Sequence, residues 1–156
     1  MLYSADRCGN PVPVALPGAP TPRKGLIMRV LLVEDEPLLA MLLEENLVDL
    51  GHEPVGAAAT VAQAMALIKE IDVDCALLDY SLGGADTSVP VARHLIHAGV
   101  PFCYLSGHSS LDDQVDAPRA PMLAKPVNTS ALVQALENMD RLRLRANCRS
   151  GQGLQA

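Results

Sequence analysis

Five polar residues stand where apolar runs stop. Glu34 and Asp35 follow RVLLV (29–33), Asp79 closes CALLD (75–79), Ser106 closes PFCYLS (101–106) and Lys125 follows PMLA (121–124). Three carboxylates brought together repel one another, which raises pKa values and opposes folding. A hard divalent cation relieves that repulsion, and all-oxygen ligands with positions left for water suit Mg²⁺. Neutralised in this way, an acidic pocket can admit a phosphoryl group. A carboxylate can then act as the nucleophile and form an acyl phosphate. An ammonium can pair with one phosphoryl oxygen while a hydroxyl donates to another. The set fits phosphoryl transfer, in which positioning and charge neutralisation supply most of the catalysis.

For these residues to meet, the elements carrying them must lie side by side. RVLLV reads as a strand buried on both faces. Pro37 suits a helix start, Leu38 to Leu50 keep helical spacing, and Gly51 stops the helix. Residues 52–58 form a weak second strand, and Thr60 caps a helix through about Ile71. CALLD is the third strand. A Gly-rich loop (81–86) follows, and Thr87 or Ser88 caps a short helix through Ala98 with Pro90 in its first turn. Residues 101–106 and 121–124 are the fourth and fifth strands, with only weak signals over 109–119. Thr129 or Ser130 caps a last helix through about Met139, which can run on into the Arg-rich tail. Strands alternating with helices imply parallel β/α units. The expectation is an α/β three-layer sandwich with a five-stranded parallel sheet and about five helices. Ligands of such sheets bind outside the carboxyl ends of the strands, where all five polar residues fall.

Composition narrows the partners. The chain has 156 residues, 49% hydrophobic and only 3% aromatic, so its core must be aliphatic. Net charge is −6, but residues 28–140 hold 17 acids against 5 bases. Such an acidic unit argues against direct nucleic-acid binding and agrees with a cation site. Residues 1–27 are rich in Pro, Gly and Ala with no strand or helix period, and read as a disordered leader; Met28 is expected to be the initiator. Residues 141–156 carry four Arg and no acid, a short basic tail. Cys8, Cys75, Cys103 and Cys148 form no close pair, and Cys75 and Cys103 lie inside apolar runs as reduced, buried thiols. With no run of membrane-spanning length, a cytoplasmic location is expected.

VEDEP, LLDYSLGG, YLSGH and AKP, in that order, resemble the receiver domain of response regulators (CheY-like) over about 28–140. The resemblance implies a flavodoxin-like fold in a two-component or phosphorelay pathway. It makes Asp79 the phosphoacceptor, Ser106 the switch hydroxyl and Lys125 the phosphoryl-pairing lysine. It assigns Mg²⁺ to Glu34, Asp35, Asp79 and the backbone carbonyl of Ser81, and implies a cis Lys125-Pro126 bond. The phosphoryl group would come from a histidine kinase or phosphotransfer protein, and a downstream protein would bind the phosphorylated form. The unit would be a monomer or weak dimer, and no enzyme beyond Mg²⁺-dependent self-phosphorylation and autodephosphorylation. Phe102-Cys103-Tyr104-Leu105-Ser106-Gly107 is similar to the Phe-Ala-Thr-Gly-like motif of a stand-alone receiver subgroup.

Two departures stand out. Met122 occupies the place of the family's usual aromatic switch residue, and His108 stands where members tune phosphoryl lifetime. Other readings use the same residues: a phosphate sink or relay intermediate, a phosphorylation-independent adaptor, or a haloacid-dehalogenase-like phosphatase. The last resembles a pattern with an acid two residues after the nucleophile, where this chain has Ser81.

Overall fold

The computed structural model describes residues 3–5, 11–13, 27–107 and 117–151. Two short strands, β1 (Tyr3–Ala5) and β2 (Pro11–Pro13), pair antiparallel within residues 1–27. No strand was expected there. Pairing of two three-residue strands needs no alternating apolar face, so the hydrophobic pattern held no sign of it.

The main sheet has β3 (Arg29–Val33), β4 (Glu53–Ala58), β5 (Cys75–Asp79), β6 (Phe102–Ser106) and β7 (Met122–Ala124). Their order is β4-β3-β5-β6-β7, and every neighbouring pair is parallel. Four helices accompany them among the described residues: α1 (Pro37–Asp49), α2 (Val61–Glu70), α3 (Val89–Ala98) and α4 (Thr129–Gly151). The expected count was about five. The weakly patterned segment 109–119 falls mostly outside the described residues.

The sheet is apolar on both faces, because helices cover both. Val30, Leu32, Leu77 and Leu105 pack with Leu43 and Leu47 of α1 and with Leu132, Leu136 and Met139 of α4. On the other face, Leu31, Val33, Leu78 and Tyr104 pack with Ala64 of α2 and with Val91, Ala92 and Leu95 of α3. The result is a three-layer sandwich. Cys75 and Cys103 are buried free thiols, and desolvation pushes them up to about 12 and about 11. No helix among the described residues is long and apolar enough to cross a membrane.

The helix ends partly follow the expectations. Pro37 opens α1, and Thr60 Oγ1 accepts from the Gln63 N–H at 3.2 Å. Ser88 occupies the N-cap of α3, but its hydroxyl makes no cap bond and is buried without a partner among the described residues. The cap of α4 is Asn128, whose Oδ1 accepts from the Ala131 N–H at 2.7 Å, rather than Thr129 or Ser130. That helix continues well past Met139. Arg143 holds the extension through Asp140, 2.8 Å away, and Asp74 at 3.6 Å.

Candidate functional site

Parallel strands end together, so the polar residues that follow them share one edge. Glu34 leaves β3 with its N–H bonded to the Ala58 carbonyl, and its side chain is fully buried. Its Oε1 accepts from the Glu36 N–H at 3.2 Å. Asp79 closes β5 in register with Leu105 and is 6% exposed. Lys125 lies just past β7, its N–H bonded to the Ser106 carbonyl at 2.9 Å. The Lys125-Pro126 bond is cis, as the resemblance implied.

The Lys125 ammonium spans the two buried acids. Nζ donates to Asp79 Oδ2 at 2.8 Å and lies 2.9 Å from Glu34 Oε2. The second contact is an ion pair without hydrogen-bond alignment, so Glu34 Oε2 keeps unused acceptor capacity in a buried position. Asp35 is exposed, yet an oxygen from each of Glu34, Asp35 and Asp79 can come within 4.8 Å of the others. Gly83 at φ 86° lets the loop pass Asp35, since a Cβ there would stand 3.3 Å from Asp35 Oδ2. A crowded, all-oxygen cluster with spare acceptor capacity fits a hard divalent cation.

Burial pushes the Glu34 carboxyl up from its ordinary range; the Lys125 ammonium opposes this and the Asp79 carboxylate adds to it. Burial pulls the Lys125 ammonium down, but the Asp79 and Glu34 carboxylates outweigh that and hold it above its usual value. A raised Glu34 pKa means the folded state binds that proton more tightly than the unfolded chain does. Stability without divalent ions should therefore decline as pH rises from 4.5 through the raised folded value. Glu34→Gln is expected to flatten that decline and raise the urea midpoint at neutral pH. A pH series of unfolding curves on both proteins checks this, and parallel curves would refute it.

Of the sequence-derived residues, Glu34, Asp35, Asp79 and Lys125 come together. Ser106 ends β6 half-buried, in register with Ala124 on β7. Ser81 is exposed on the loop after Asp79, bridged antiparallel to Thr87. Glu36 is exposed at the start of α1, while His108 lies outside the described residues. Sequence reading missed Tyr80, directly after Asp79, and Tyr104 of β6, whose rings meet edge to face at 5.8 Å. Tyr104 is fully buried, stands in register with Met122, and its hydroxyl has no hydrogen-bond partner among the described residues. Burial pushes that hydroxyl up to about 12. The run FCYLS held the signal, a Tyr inside an otherwise apolar strand.

A five-stranded parallel sheet in this order, covered by helices on both faces and carrying an acid cluster and a lysine at its carboxyl edge, defines a flavodoxin-like α/β sandwich. The family model described as "Response regulator receiver domain" matches residues 30–137, and the chain belongs to that family. The transcriptional regulatory protein PdtaR of Mycobacterium tuberculosis is 31% identical over 112 residues, 70% of this chain and 55% of the relative. The chain thus spans about half the length of the curated relatives it matches. The solution structure of SdrG from Sphingomonas melonis Fr1 is 40% identical with a TM-score of 0.63, covering 72% of this chain and 96% of that one. The receiver domain of the PhyR response regulator of Erythrobacter litoralis is 25% identical with a TM-score of 0.66, covering 72% and 89%.

Proposed function

We propose that the chain accepts a phosphoryl group on Asp79 from the phosphohistidine of a histidine kinase or phosphotransfer protein, and signals by binding a downstream protein in that state. The observation that carries this is the Lys125 ammonium spanning Asp79 and buried Glu34, with Asp35 completing the acid cluster. An Asp79 carboxylate oxygen attacks phosphorus; the new P–O bond replaces the P–N bond, and the imidazole leaves with its electron pair. Lys125 is within reach to exchange a carboxylate contact for a phosphoryl oxygen, and Ser106 supplies a hydroxyl donor at the neighbouring strand end. Glu34, Asp35, Asp79 and the Ser81 carbonyl would hold Mg²⁺, which supplies charge neutralisation for the incoming group. Phosphorylation adds negative charge and acceptor oxygens beside β6 and β7, and their displacement would change the outer surface. Phe102 to Gly107, read as a Phe-Ala-Thr-Gly-like motif, is what points this reading toward a stand-alone receiver subgroup. The reading places the protein in the cytoplasm and gives it no turnover of a separate substrate.

Intact mass after incubation with Mg²⁺ and a phosphorylated histidine kinase tests the proposal. One added phosphoryl group is expected, lost on chelation of Mg²⁺ and absent from Asp79→Ala. No addition from several active kinases and small phosphodonors, with the protein folded, would overturn it.

A further inference from the structure

α1 is apolar on its outer side as well as its inner one. Its core side carries Ala40, Leu43 and Leu47, but Leu38, Met41, Leu42 and Val48 are each more than half exposed. At 100° per residue these four span an arc of about 120° on the outer face. Glu45 and Asp49, both exposed, fall inside that arc. A shallow groove of about 450 Å³ runs beside it, lined by Met41, Glu44, Glu45, Val48, Asp49 and Pro54. The last turn of α1 carries Asp49 and no base. Carboxylates at a helix C-terminus face the negative end of the helix dipole, so the groove favours a cation.

The end of α4 has the opposite charge on a similar frame. Past Met139, Arg141, Leu142, Leu144 and Arg145 are all exposed. They fall within an arc of about 160° facing away from the buried stripe. Two arginines thus lie between two leucines, where α1 sets two carboxylates among four apolar residues. None of Glu45, Asp49, Arg141 and Arg145 has an ion-pair partner among the described residues. The Arg143 contacts to Asp140 and Asp74 keep this part of α4 helical beyond the sheet. α1 and α4 pack on the same sheet face, so one side of the molecule presents both halves of a complementary pair.

We infer that this side is a self-association surface, on which the basic end of α4 from a second copy covers the acidic, apolar face of α1, reciprocally. Two-fold symmetry makes both contacts alike, because each copy gives one arginine pair and one carboxylate pair. The patches are small and the ion pairs solvated, so the dimer is weak and salt-sensitive. It needs no phosphorylation, and its test is independent of Asp79.

Sedimentation equilibrium on the unphosphorylated full chain should show a monomer–dimer equilibrium. Raising salt from about 0.1 M to about 1 M, which shortens the Debye length from about 10 Å to about 3 Å, should weaken it severalfold. Two charge-reversed variants sharpen the test: Glu45→Arg with Asp49→Arg, and Arg141→Glu with Arg145→Glu. Each alone should be monomeric, because both of its reciprocal contacts become like-charged. Mixed one to one, they should restore a heterodimer, because both contacts regain opposite charge. Circular dichroism on each variant confirms that it is folded. A wild type that stays monomeric at sub-millimolar concentration would overturn the inference and leave the α1 face to a different protein. A dimer insensitive to both reversals, or variants that fail to pair, would overturn it as well.

Discussion

Lys125→Met is expected to cost about 3 kcal/mol of folding stability in divalent-free buffer, the low end for breaking a buried ion pair by removing one partner. The low end applies because the Lys125 side chain keeps 20% of its surface exposed. Methionine retains much of the stem's packing, so the loss reports charge rather than a cavity. With the ammonium gone, Asp79 and the fully buried Glu34 face each other without a counter-charge. One of them then takes up a proton, as like-charged carboxylates sharing a site do. Glu34 is the natural recipient, since burial already raises its pKa and Lys125 is what holds it down. The variant should therefore recover stability as pH falls through that further raised value, more steeply than the wild type. Mg²⁺ should also recover part of it, by binding the folded state alone. Urea unfolding checks all three: with a slope of about 2 kcal/mol per molar, the midpoint should fall by about 1.5 M at neutral pH. A midpoint within the ordinary spread of surface substitutions, about 0.5 kcal/mol, would show that the three groups are not energetically coupled.

The same coupling explains why the site could be read in the sequence. A strand buried on both faces has no reason to end in a carboxylate unless its end is used. RVLLV followed by Glu34 and Asp35, and CALLD ending in Asp79, therefore stand out against their own apolar runs. Parallel β/α alternation does the rest, bringing the strand ends to one edge. What the pattern does not carry is the face of each side chain. Leu31 and Leu32 point to opposite layers yet look alike in a continuous apolar run. For that reason Tyr104 could not be assigned to the α2/α3 side, and its pairing with Tyr80 was missed.

Local competition hid other details. Asn128, Thr129 and Ser130 are all good caps, and only the backbone geometry selects Asn128. The sequence allowed α4 to run on into the Arg-rich tail but did not fix how far, for a different reason. Its buried stripe stops at Met139, and the turns beyond it rest on Arg143 reaching Asp74, a residue distant in sequence. In β4 the ladder shifts between Val30 and Leu31, where Gly56 at φ 153° lies against Leu67. A bulge of that kind breaks strand periodicity, which is why residues 52–58 gave so weak a signal.

Leu105→Ala should be the most damaging core substitution beside the site, at about 3–4 kcal/mol within the Leu→Ala range. Leu105 is fully buried, stands in register with Asp79 on one side and Leu123 on the other, and packs in the layer shared by α1 and α4. Its carbonyl also accepts the Tyr80 N–H, so the backbone on both sides of the acidic strand end leans on this residue. Truncation leaves a void that β5 and β7 can fill only by shifting, and both strands lead directly into site residues. Stability and site geometry should therefore fail together. The variant is expected to lose phosphoryl uptake under conditions where it is still mostly folded. A control such as Leu136→Ala lies in the same layer but on α4, one helical turn beyond Leu132 and away from the strand ends. It should lose comparable stability while keeping uptake. Measuring both variants by urea unfolding and by intact mass separates the two effects. Equal uptake at equal folded fraction would mean that the strand ends hold the acids in place without support from the layer beneath.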